Sequence, residues 1–199
     1  AEPTVTATPT AEPTVTATPT PTVTATPTAP PTPAPVAPGF TPQAGCDFLD
    51  PAVCLLPFPN DYFTIADGTT ETGRRLALQL PAMPRNVAGK PIDPIEYNRN
   101  DGFSPGSPIL TFIPEIQTPE ALAATGIVRE GDLARAYDPD QPLVVLDADT
   151  GKRALVWAEL DQHAETADGE RVLIIRPGKN LEEGHRYIVA LRNLNVAGT

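Results

Sequence analysis

Residues 102–106, GFSPG, fit G-x-S-x-G, the pattern that holds the nucleophilic serine of many esterases and lipases. In that motif the serine sits on a sharp turn from a buried strand into a helix. It also needs a histidine to take its proton and a backbone N–H on the next residue to stabilise the oxyanion. The flanks of Ser104 point elsewhere. Polar, irregular IEYNRND precedes it, and Pro105, Gly106, Ser107 and Pro108 lead from it into the apolar run ILTFI. The order is loop to strand, and Pro105 has no N–H to give. The two histidines, His163 and His185, could complete a triad in principle, but no spacing selects either. Ser104 therefore reads as a loop residue, and a small serine hydrolase using Ser104 stands as an alternative.

Other chemistry-bearing residues carry similarly plain readings. DADTG (147–151) begins like a calcium loop. Counting from Asp147, however, the fifth, sixth and twelfth positions are Gly151, Lys152 and Ala158, which breaks the EF-hand pattern. A tight turn with Gly151 in a left-handed conformation explains the same residues. Asp138, Asp140, Asp161 and Asp168 also sit in turn contexts, where carboxylates bond their own backbone. Trp157 has the chemistry of a sugar platform, yet it alternates with Val156 and Ala158, so core packing is expected of it. No metal-ligand set and no cofactor motif is read. Cys46 and Cys54 are too far apart for a C-x-x-C pair and have no further cysteine to complete a zinc site. A small local disulfide is expected, and with it an extracytoplasmic, secreted or cell-surface setting. Gly45-Cys46 resembles the end of a lipoprotein signal, but Pro and Thr stand where the apolar stretch would be, so acylation is discounted.

The elements that position these residues occupy only part of the chain. In residues 1–40, AEPTVTATPT occurs twice, followed by PTVTATPT and APPTPAPVAPG. A segment this poor in large apolar side chains cannot bury enough surface to offset its ordering entropy. It reads as a disordered Thr/Pro-rich linker or stalk, and its threonines suit O-glycosylation, making glycans expected partners. The chain carries a formal net charge of −11 with no basic stripe, which argues against nucleic acid. No apolar run approaches the roughly 20 residues needed for a membrane span. Lacking an initiator Met and a signal peptide, the chain reads as a mature form or a fragment.

Beyond the repeat, residues 41–108 read as a Pro-rich arm. Residues 55–68 are an irregular segment against the core, RRLALQL (74–80) a strand, and 81–108 a long ordered loop. Tyr62, Tyr97 and Tyr137 are expected to tie the arm down. Residues 109–199 hold the strand ILTFI and a helix, TPEALAATG, capped by Thr118 and stopped by Gly126. GDLARAY forms a helical turn, and PLVVLDADTGKRALVWAEL reads as a hairpin. The strands RVLIIRP and HRYIVAL follow. Short strands punctuated by Gly and Pro predict a mostly β fold, an antiparallel immunoglobulin-like sandwich of about five strands.

The segments CDFLDPAVCLLPFPNDYFTIAD, NRNDGFSPGSPILTFIP, PLVVLDADTG and VLIIRPGKNLEEGHRYIVALRNL have a further implication. Together they resemble the N-terminal region of secreted bacterial proteins of the extracellular lipase and esterase type. There a Pro-rich arm leads into an Ig-like domain, and an α/β-hydrolase domain follows. The resemblance implies that Asn98, Asp101, Gly102 and Phe103 are structural, a turn with an aromatic anchor, and that the catalytic elbow lies in a downstream domain. The function so implied is a non-catalytic accessory or surface-presentation module of a larger hydrolase-like protein. The alternatives are a surface adhesion or carbohydrate-binding module and the Ser104 hydrolase.

Overall fold

The computed structural model describes residue 46 and residues 54–163 and 171–195. The Thr/Pro repeat, Asp168 and the final four residues lie outside the described residues, and so does the disorder expected of the repeat. The arm begins at the disulfide, which joins Cys46 to Cys54 as expected. Phe58 then bridges Leu110 through two backbone hydrogen bonds, 2.9 and 2.6 Å. Asn60 caps a short 3-10 turn, Asp61–Phe63, by accepting from Tyr62 N. This turn drops Phe63 into full burial.

Strand β1 (Thr64–Ala66) follows, and it pairs antiparallel with β2 (Arg74–Leu76). The RRLALQL segment is thus a strand only in its first half. Leu78 turns away to a side chain, and Leu80–Ala82 forms a 3-10 turn. Residues 81–108 contain 3-10 turns and bridges but no strand. Phe63, Leu78, Ala82 and Met83 form a small core of their own, against which Phe58 and Phe103 pack. Phe58 and Phe103 meet edge to face, with centroids 5.3 Å apart. Tyr62, Tyr97 and Tyr137, expected to tie the arm down, are about half exposed, and Tyr62 meets Phe63 edge to face. Phenylalanine does that work because it carries no hydroxyl that must keep a partner when buried.

The larger core belongs to two antiparallel sheets. Strand β3 (Ile109–Thr111) pairs with β6 (Leu173–Pro177), and β6 pairs with β5 (Val156–Leu160). Strand β4 (Leu143–Asp147) pairs with β7 (Tyr187–Leu191). The helix α1 (Pro119–Ala124) is built as its sequence signals dictate. Thr118 Oγ1 accepts from Ala121 N, Pro119 occupies the first turn, and Gly126 takes φ +74° beyond the end. GDLARAY lies within a 3-10 segment, Glu130–Tyr137. The fold is mostly strand, with antiparallel, unclosed sheets. Among the described residues no helix is long and apolar enough to cross a membrane.

The hairpin expected of residues 142–160 is corrected by the structure. It starts as one, with Asp147 N donating to Lys152 O, Ala154 N to Val145 O, and Leu146 bridging Arg153. The chain then leaves, and β5 joins the other sheet. The inward residues Leu143 and Val145 of β4 and Val156, Ala158 and Leu160 of β5 all belong to one core cluster. Seating the strands in separate sheets lets both inner rows feed that core.

Strand β7 departs from the pattern of its partner. Strand β4 alternates between buried and half-buried positions, whereas Ile188, Val189 and Ala190 of β7 are all exposed. Arg192 N donates to Pro142 O, and Ala148 N to Arg186 O. By antiparallel alternation, residues 187, 189 and 191 turn their own N–H and C=O groups towards an open edge.

Candidate functional site

Ser104 lies in a loop held by its backbone. Ser107 N donates to Ser104 O at 3.0 Å, and Leu181 N donates to Pro105 O at 3.0 Å. A Cβ at Gly106 would stand 3.1 Å from Asn180 Oδ1, the side chain that faces this loop from the other. The loop runs into β3, not into a helix. Ser104 is exposed, and its hydroxyl has no imidazole partner among the described residues. His185 bonds Asp147, and His163 lies 3.6 Å from Asp161.

The neighbouring residues of the DGFS segment are structural in their contacts. Asn98 accepts from Leu78 N at 2.8 Å and donates to Leu78 O at 2.9 Å, a two-bond clamp between the long loop and the end of β2. Asp101 offers its carbonyl to Thr72 Oγ1 at 2.5 Å. Phe103 supplies the aromatic anchor against Phe58.

The structure joins two residues that sequence spacing left apart. Asp147 ends β4 with its side chain 9 % exposed, and His185 stands just before β7. The pairing of β4 with β7 brings them together, and His185 Nδ1 lies 2.9 Å from Asp147 Oδ2. The other carboxylate oxygen, Oδ1, accepts from Asp149 N and Thr150 N, which closes the 147–152 turn. Gly151 adopts the left-handed φ, +69°, that this turn requires. His185 and these turn amides hold the Asp147 carboxyl down at about 2, with burial opposing them. The His185 pKa is raised, first by the hydrogen bond to Asp147, against desolvation.

This pair borders a surface depression of about 450 Å³, which Tyr137, Lys152, Lys179 and Tyr187 also line. An imidazole oriented by a carboxylate can serve as an acid or base. Among the described residues, no hydroxyl or thiol nucleophile hydrogen-bonds to it. Asp147, Asp149 and His185 are also close enough to share a cation. Their existing bonds account for the cluster, however, since Asp149 Oδ2 accepts from Arg186 N at 3.0 Å. Sequence offered one signal for Asp147, its place at a strand end before a turn, and none for its partner 38 residues on.

Trp157 departs from the core packing expected of it. Val156, Ala158 and Leu160 face the core, so the alternation of β5 sends Trp157 and Glu159 to the opposite face. The indole is half-buried there, with the Arg176 guanidinium 5.7 Å from its ring centroid. Comparisons with protein-family models, with curated proteins and with solved structures return no match for this chain.

Proposed function

We propose that this chain is a non-catalytic, Ig-like accessory module of a secreted or surface-attached hydrolase-like protein, and that it packs against a catalytic domain of the same polypeptide. The observation that carries this reading is the edge of β7. A continuous apolar run in a strand is the mark of a strand covered on both faces. In β7 the run is uncovered: Ile188 on one face is 48 % exposed and Val189 on the other is 39 % exposed. An open, apolar strand edge is a liability unless a partner covers it. Five short strands in two antiparallel sheets feeding one core support the Ig-like assignment. The loop-to-strand setting of Ser104 supports the non-catalytic one.

Amide hydrogen exchange tests the proposal, comparing this chain alone with the longer polypeptide encoded by its reading frame. The amides of Tyr187, Val189 and Leu191 are expected to exchange freely in the first and slowly in the second. Equal exchange in both overturns the proposal. So does a stop codon directly after Thr199, or stoichiometric fluorophosphonate labelling of Ser104.

A further inference from the structure

A groove of about 560 Å³ lies beside β5, bordered by α1 and the start of the 3-10 segment, within the size range of small-molecule sites. Its aromatic residue is Trp157. The indole is not a loose surface ring. Arg176 lies over one side of it, and Glu159 Oε1 pins that guanidinium at 2.5 Å. The cation, the ion pair and the strand together fix the ring before any ligand arrives, and such pre-ordering lowers the entropy cost of binding. Pro119 and Leu122 of α1 give the groove an apolar wall.

Polar groups of both signs line the same groove. Arg129 and Glu130, at the start of the 3-10 segment, line the groove with no side-chain partner among the described residues. Gln162 donates from its amide nitrogen to Leu160 O, which leaves its carbonyl oxygen to accept. Asp132 and Glu159 add carboxylates, and Asp132 also lies 3.8 Å from Arg135. Of the three lining carboxylates, Asp132 and Glu159 are each met by an arginine, which leaves Glu130 and Arg129 as one unpaired charge of each sign rather than a row of cations to hold a phosphate chain. It offers separate donors and acceptors around an aromatic surface.

A pyranose ring matches that combination. Its hydroxyls both donate and accept, which suits a guanidinium, a carboxylate and an amide oxygen lining one groove. Its axial C–H bonds form an apolar face with partial positive charge, the complement of the negative face of an indole. We propose that the Trp157 groove binds a neutral hexopyranose or pentopyranose unit of an oligo- or polysaccharide. The site stands independently of any catalytic domain.

Trp157 is the single tryptophan of the chain, so its emission reports this groove directly. The experiment titrates the intact chain with cellohexaose, xylohexaose, mannohexaose and chitohexaose, with free glucose as the monomer arm and a heparin oligosaccharide as the anionic arm. A saturable emission change with at least one neutral hexaose is expected. Glucose binding as tightly as that hexaose assigns the groove to a free sugar, and weaker glucose binding assigns it to a chain. Calorimetry with the same hexaose should show at least tenfold weaker binding for Trp157→Ala and for the exposed, fold-neutral Glu130→Ala. Trp157→Phe, which keeps an aromatic ring, should retain part of the affinity. No response to any neutral sugar overturns the proposal, as does a response to heparin alone, or binding that both alanine variants leave unchanged.

Discussion

Asp147 shows how one carboxylate can serve local and long-range structure together. One oxygen closes a turn, and the other holds His185, which fixes how β7 enters its sheet. The pair also makes stability depend on pH, with a sign that the shifts determine. The pKa of His185 is raised in the fold, so its contribution is complete below the unfolded value near 6.5 and fades as pH rises through the raised value. The pKa of Asp147 is lowered from 3.8 to about 2, so its contribution is present above 3.8 and fades as pH falls through about 2. Asp149 and Glu182 also face the imidazole and favour its charged form. The thermal midpoint of wild type should exceed that of His185→Ala most at about pH 5, and the gap should shrink by about pH 9. A gap constant across that range means that the imidazole acts through packing alone. No local feature of the sequence could have announced this pair. Asp147 was legible as a turn residue, but its partner is chosen by strand pairing.

The elements divide by how local their causes are. The helix α1 was legible to the residue because its cap, its first-turn proline and its stopping glycine all act within one short window. Thr118→Ala removes the hydroxyl that accepts from Ala121 N at 3.1 Å and should cost about 1 kcal/mol, read from a denaturant midpoint. Thr118→Ser should recover most of it, and a loss of equal size in both variants points to the methyl group instead. Strand β5 was legible as a strand but not in its partner. The turn chemistry of residues 147–152 correctly opens a hairpin, and only the shared core draws β5 into the other sheet. The face that Trp157 would take was equally hidden. A period of two says that neighbours face opposite ways, but not which face is the interior. The buried row Val156, Ala158 and Leu160 decides it.

At the scale of the whole molecule, the mostly β architecture, six of the seven strands and the disulfide could be read from the sequence. The pairings and the candidate grooves could not, because they arise where segments distant in the chain meet. That same feature bears on how the chain reaches its fold. Strand β5 finds β6 across the single connection 161–172, but Ile109 must find Ile175 and Val145 must find Val189 across much longer stretches. Closing long loops costs entropy before the new contacts repay it, so domains dominated by distant pairings fold in roughly milliseconds to seconds. The β5–β6 ribbon is the natural nucleus, with β3 and β7 added later. Stopped-flow refolding should therefore show Ile175→Ala, in the centre of that ribbon, slowing folding. Val189→Ala, in a strand added after that ribbon, should mainly speed unfolding. The reverse partition would place the nucleus in the β4–β7 pair. With one edge unpaired among the described residues, β7 is also the strand that a neighbouring chain could most readily pair with during synthesis.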